Sequence, residues 1–124
     1  MSKRRVVITG LGAVTPLGND VATTWSNLIV GQSGIATISR FDASDISSQI
    51  AGEVKGFDVS EYIGAKEART MDTFIHYGLA AGIQAFRDSG LAVTEENAER
   101  IGVIIGSGIG GLPMIETNCE SLFN

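Results

Sequence analysis

Two glycine-rich loops, one cysteine, one histidine and one close pair of cations are the residues of this chain whose types and spacing could do chemistry. Cys119 stands between Glu116 and Glu120 in a stretch that reads as helix interior. Neighbouring carboxylates and the distance from a helix N-terminus disfavour a thiolate, so the expectation is a small buried hydrophobe and a poor nucleophile. His76 sits beside Tyr77 on an apolar segment, where a packed helical histidine is expected over a catalytic base. Ser107 has no histidine near it in sequence, and no nucleophile–base–orienter set is visible.

The first glycine loop, Gly10-Leu11-Gly12-Ala13-Val14-Thr15, follows an apolar run and invites a dinucleotide reading. The third glycine of that fingerprint is replaced by Thr15, Pro16 comes next, and the following helix starts too late to cradle a pyrophosphate. The second, Gly106-Ser107-Gly108-Ile109-Gly110-Gly111, lacks the lysine and hydroxyl residue that a phosphate-binding loop needs, because Leu112-Pro113 follow. Two readings remain for it: a tight structural turn, or a close backbone approach to an apolar ligand with Ile109 facing it. Lys66 and Arg69 are three apart, so on a helical turn they share a face. They read either as solvated charge balanced by Glu67 and Asp72, or as an anchor for an acidic partner, where two cations steer encounter.

The elements that must position these residues follow from the patterning. Arg5 to Thr9 is a β-branched run closed by Gly10, the mark of a strand buried on both faces. Asp20 or Asn19 caps a helix from Val21 to Val30 with Gly31 as its stop. Gln32 to Thr70 is less regular, with a short strand at Gln49 to Val54 and a turn at Phe57 to Ile63. The clearest helix runs from Asp72 to Ser89 and stops at Gly90; its centre is apolar nearly all round, which predicts cover on more than one side. Thr94 caps a short acidic turn through Arg100, Ile101 to Ile105 is a second buried strand, and a helix from Pro113 to Phe123 closes the chain. The order of strand, helix, excursion, long helix, strand and helix predicts an α/β fold with a largely parallel sheet and right-handed crossovers.

The bulk properties bound the function. A length of 124 residues allows one domain, and 44% hydrophobic with 19% charged residues suffices for a core. Sixteen glycines exceed the usual share of ~7%, and they fall at the ends of apolar runs without periodicity, which excludes collagen and linker sequences. The net charge of −5 and nine scattered Lys and Arg leave no basic stripe, so no nucleic-acid partner is expected. The single cysteine cannot form an internal disulfide. No secretory leader is recognisable after Lys3-Arg4-Arg5, and no run of ~18 apolar residues exists to span a bilayer. A cytoplasmic protein without a membrane partner is the expectation.

Four stretches in order, RRVVITGLGAVTPLG (Arg4 to Gly18), WSNLIVGQSGI (Trp25 to Ile35), MDTFIHYGLAAGIQA (Met71 to Ala85) and IGVIIGSGIGG (Ile101 to Gly111), are together specific. The chain resembles the thiolase-like condensing enzymes, most closely the elongating β-ketoacyl-acyl carrier protein synthases of the second type, over about the opening third of a family member. The resemblance implies a thiolase-like layered αβαβα fold, with residues 1–124 an incomplete N-terminal part of the synthase domain and the helix at Asp72 to Ser89 pinned between two sheets. It implies a decarboxylative Claisen condensation of an acyl thioester with malonyl-acyl carrier protein, using a cysteine and two histidines that would lie beyond Asn124. It therefore implies no catalytic residue here, no cofactor and no metal. Gly108 and Ile109 match the substrate-binding wall of the acyl pocket. Lys66 and Arg69 match two basic positions that dock acyl- and malonyl-loaded acyl carrier protein, while Thr70 stands at a third. The full-length protein is expected to be a homodimer, and the alternative is a non-catalytic piece or a cysteine-less partner homologue that binds carrier protein.

Overall fold

Asp20 begins the first helix as the sequence requires. Its backbone is extended, and its carboxylate accepts hydrogen bonds from the Thr23 N–H at 2.7 Å and the Thr23 hydroxyl at 2.8 Å. The computed structural model describes residues 3–123. Helix α1 spans Val21–Ile29, and Gly31 follows with φ +73, the left-handed conformation expected of a helix stop. The bond from the Thr23 N–H, helped by the Thr23 hydroxyl, holds the Asp20 carboxyl below its ordinary value of 3.8. A depressed folded-state value means that this cap contributes fully above about pH 4 and is lost as pH falls through the folded value. Asp20→Asn, whose amide oxygen still accepts, is expected to make the Thr23 amide's exchange protection independent of pH below about 4. The unaltered protein loses that protection over the same range, which hydrogen exchange at a series of pH values checks.

The excursion forms a two-residue antiparallel ladder. Strand β1 (Ala36–Thr37) pairs with β2 (Ile50–Ala51), with Ala36 opposite Ala51 and Thr37 opposite Ile50. The predicted strand at Gln49 to Val54 is thus shorter than its pattern. Glu53 turns to bond the Ser39 hydroxyl and the Ser39 and Arg40 amides, and this holds its carboxyl below the ordinary range, the Ser39 hydroxyl first. A 3₁₀ turn at Val59–Glu61 leads to the short helix α2 (Ala65–Ala68). Phe57 stacks on Tyr62 at 6.0 Å and meets Tyr77 edge-on at 5.1 Å, which ties this excursion to the long helix.

That long helix, α3 (Thr73–Asp88), is the platform of the structure, and Ala80 at its centre is 0% exposed. One side is covered by the first glycine loop, whose backbone lies directly on the helix. A Cβ on Gly12 would collide with the Ala81 carbonyl, and one on Gly10 with the Ala85 carbonyl and the Ser89 amide. Two residues of extended chain advance about 6.6 Å and four of helix about 6.0 Å, so alternate glycines keep step with successive helical turns. The glycine spacing that imitates a nucleotide fingerprint is a packing device. Leu11 N–H donates to Asp88 at 2.8 Å and Ala13 N–H to Gln84 Oε1 at 3.1 Å. Gln84 Nε2 donates in turn to the Asn19 carbonyl at 2.7 Å and the Tyr62 hydroxyl at 2.8 Å. On another face Gly78 and Gly82 leave room for the Ile105 side chain, 3.6 and 3.8 Å from where their Cβ atoms would be.

Two expected strands are not formed among the described residues. Arg5 to Thr9 and Ile101 to Ile105 run without ladder partners, and the β1–β2 pair is the one sheet described. The reason is physical: a strand buried on both faces needs neighbours for its N–H and C=O groups and cover for its side chains. Here Val6 is 89% and Ile104 is 98% exposed. The turn after Thr94 also differs from expectation, because the Asn97 side chain accepts from the Thr94 N–H at 2.7 Å and the Thr94 hydroxyl does not cap it. The closing helix α4 (Leu112–Phe123) starts one residue before Pro113.

Candidate functional site

The second glycine loop descends from Ile105 across the first turns of α3. Gly106 and Ser107 line a groove of about 300 Å³ together with Phe74, Ile75, Gly78, Leu79 and Ile105. Gly108 is exposed, and Ile109 stands out from the loop at 78% exposure. Gly110 then takes φ +83, a conformation that favours glycine, and it lies over the Phe74 ring. A Cβ on Gly111 would occupy the place of the Asp72 carboxylate.

Asp72 is the residue that fixes this loop, and it is 9% exposed. Its Oδ1 accepts from the Thr73 N–H at 2.6 Å, capping α3, and its Oδ2 accepts from the Met114 N–H at 3.2 Å, at the start of α4. One carboxylate thereby answers the positive ends of two helix dipoles. The same arrangement rules out a phosphate cradle, because the negative group at the α4 N-terminus is already the protein's own. The sequence pattern places Asp72 as the first residue of the long helix and as a counter-charge for Lys66 and Arg69; the structure makes it the cap just outside α3. The legible signal was its place immediately before an apolar helix, where Asp is a preferred cap.

Lys66 lies in α2 and Arg69 caps its end; both side chains are exposed. The Thr70 hydroxyl is turned back onto the Glu67 carbonyl at 2.7 Å, so it presents no donor at the surface position between α2 and α3. His76 Nε2 meets the Ala68 carbonyl at 3.0 Å. A carbonyl only accepts, so Nε2 is the donor and the ring staples α2 to α3. This is the structural role expected for His76, and it gives the cation pair a fixed footing. The two sets of predicted residues are therefore on different segments, each tied to α3 by one side chain: Lys66 and Arg69 through His76, Gly108 and Ile109 through Asp72.

Cys119 departs from expectation. It is exposed on α4, since nothing among the described residues covers that face of the helix. Ser107 is exposed on the groove wall, and His76 is occupied by Ala68, so the described residues assemble no nucleophile–base pair. Gln84, which sequence reasoning passed over, uses its whole carboxamide to join three segments; a lone amide at the edge of an apolar helix centre was its only signal. Among the described residues no group of three or more His, Cys, Asp or Glu could hold a metal ion. No described helix is long and apolar enough to cross a membrane.

The chain is 60% identical over 122 residues to 3-oxoacyl-[acyl-carrier-protein] synthase 2 of Vibrio cholerae and 52% identical to the protein of that name from Coxiella burnetii. Each alignment covers 98% of this chain and 30% of the relative, so the chain spans under a third of the length of these relatives. Among solved structures, the ishigamide ketosynthase/chain length factor superposes with a TM-score of 0.79 at 28% identity, over 98% of this chain and 30% of that one. A type II polyketide ketosynthase solved in complex with its acyl-carrier protein superposes with a TM-score of 0.72 at 32% identity, over 94% of this chain and 31% of its own. These likenesses give the thiolase-like α/β fold to the segment. Residues 3–123 match the β-ketoacyl synthase N-terminal domain, and the chain belongs to that family.

Proposed function

We propose that this chain is the pocket-wall and docking portion of a 3-oxoacyl-[acyl-carrier-protein] synthase of type II fatty-acid biosynthesis. The observation that carries the reading is the 60% identity to a synthase 2 across 98% of the chain. In the reaction an acyl group passes from its carrier thioester to the enzyme, malonyl-carrier protein loses carbon dioxide, and the resulting carbanion attacks the acyl thioester. The product is a 3-oxoacyl-carrier protein. Gly108 and Ile109 contribute an apolar wall for the acyl chain, which fits the exposed Ile109 side chain on a loop with a fixed base. Lys66 and Arg69 contribute a cationic face for the acidic carrier protein, which fits their exposure on a stapled helix. The working enzyme is a cytoplasmic homodimer in this reading.

The full-length enzyme, given acyl- and malonyl-carrier protein, is expected to release carbon dioxide and form 3-oxoacyl product. Lys66→Glu and Arg69→Glu are each expected to raise the KM for carrier protein by about 10-fold at low salt with kcat little changed, because exposed cations act mainly on encounter. The difference shrinks as salt screens the pair. Absence of product sinks the enzyme reading, and a KM indifferent to both changes sinks the docking face.

A further inference from the structure

Asp72 has a property that neither pocket wall nor docking face explains: it is a nearly buried carboxylate whose hydrogen bonds both go to backbone N–H groups, on two different helices. The second of those helices is the one that the Gly108–Ile109 loop enters. Gly111, two residues after Ile109, has no room for a side chain because the Asp72 carboxylate fills it. Gly110 rests on Phe74, also in the first turn of α3. The C-terminal end of the loop is thus held to the start of α3 by one charged hydrogen bond and one steric fit. Ile109 itself is exposed and has little of its own packing to fix where it stands.

We propose that Asp72 is a positioning residue that sets acyl-chain discrimination by fixing Ile109 through the Asp72–Met114 bond and the Gly111 contact. The inference rests on the reading of Ile109 as part of the acyl-pocket wall. A wall residue discriminates chain lengths only if its position is held more firmly than the acyl chain can push it. Removing the bond at Met114 frees the loop end while leaving the remaining pocket surface unchanged.

The test uses the full-length enzyme and a series of acyl-carrier proteins from short to long, with kcat/KM measured for each. Asp72→Ser keeps an oxygen to cap α3 but has one oxygen atom where the carboxylate uses two, so the Met114 bond is lost. The expected result is a flattened profile, with the ratio between best and worst chain lengths falling about ten-fold, the size set by losing one hydrogen bond to a charged group. Gly111→Ala displaces the carboxylate from the other side and is expected to flatten the profile in the same way, which covers the case of Asp72→Ser failing to fold. Combined with Ile109→Ala, neither change is expected to flatten it further, since all three act on one wall. Uniform loss across all chain lengths, or effects that add to Ile109→Ala, would overturn the role of Asp72. An unchanged profile in Ile109→Ala alone would instead overturn the pocket-wall reading, so the two failures are separate.

Discussion

Residues 1–124 expressed alone are expected to show no cooperative thermal transition and to bind a hydrophobic dye strongly. A folded monomer of 13.0 kDa exposes about 6,300 Å² by the usual size scaling. This chain exposes 10087 Å², an excess of roughly 3,700 Å² over that scaling. The excess is apolar in large part: Val6, Val7 and Ile8 on one segment, and Val103 and Ile104 on another, stand almost free. Ala43 and Ala80 are the buried hydrophobic residues among those described, and neither is large enough to anchor a core. Secondary structure held without fixed packing has recognisable signs, namely dye binding and a weak near-ultraviolet signal. Scanning calorimetry decides the matter. A single transition carrying about 90 kcal/mol, the enthalpy expected of a well-packed domain of this length, would contradict the prediction.

Gly12→Val in the full-length enzyme is expected to abolish folded protein, and Gly12→Ala to cost about 3 kcal/mol. The added Cβ would meet the Ala81 carbonyl, which is helix backbone and cannot rotate away as a side chain would. Relief requires the Gly10–Ala13 segment to lift from α3. That movement breaks the bonds from Leu11 to Asp88 and from Ala13 to Gln84, and it loosens the amide that joins Asn19 and Tyr62. Gly64→Ala is the control: Gly64 has an ordinary φ of −67 with only the Glu67 carboxylate near its missing Cβ, at 3.8 Å, so a change within about 0.5 kcal/mol is expected. Denaturant midpoints for the three proteins compare them. An unchanged midpoint for Gly12→Ala would show that the loop does not rest on the helix backbone.

The local features of this chain were legible before its structure. Asp20 and Gly31 bracket α1, and Asp72 and Gly90 bracket α3, because a carboxylate cap and a left-handed glycine act over a few residues and need nothing from afar. The placing of Lys66 and Arg69 on one short helical segment was legible for the same reason, whereas the exposure of Cys119 was not. The strands were legible as strand-formers and not as strands. A β-ladder is a contract between two segments, and Arg5 to Thr9 and Ile101 to Ile105 find no second party among the described residues.

The sequence by itself determined the family, the long helix and the glycine loops, and it singled out Lys66, Arg69, Gly108 and Ile109 as candidates. Four motifs in fixed order are enough to identify a fold whose parts are mostly elsewhere. Only the tertiary structure decided what the glycines are for. Gly10 and Gly12 are absences of side chain that let a loop lie on α3, and Gly111 is an absence that admits a carboxylate. It also decided that Asp72 holds two helices and that His76 holds α2. A glycine's conformational freedom can be read from its letter, but the atom that fills the space it leaves comes from another part of the chain. The partners of Asp72 and His76 lie 42 and 8 residues away, and no local pattern encodes such a pairing.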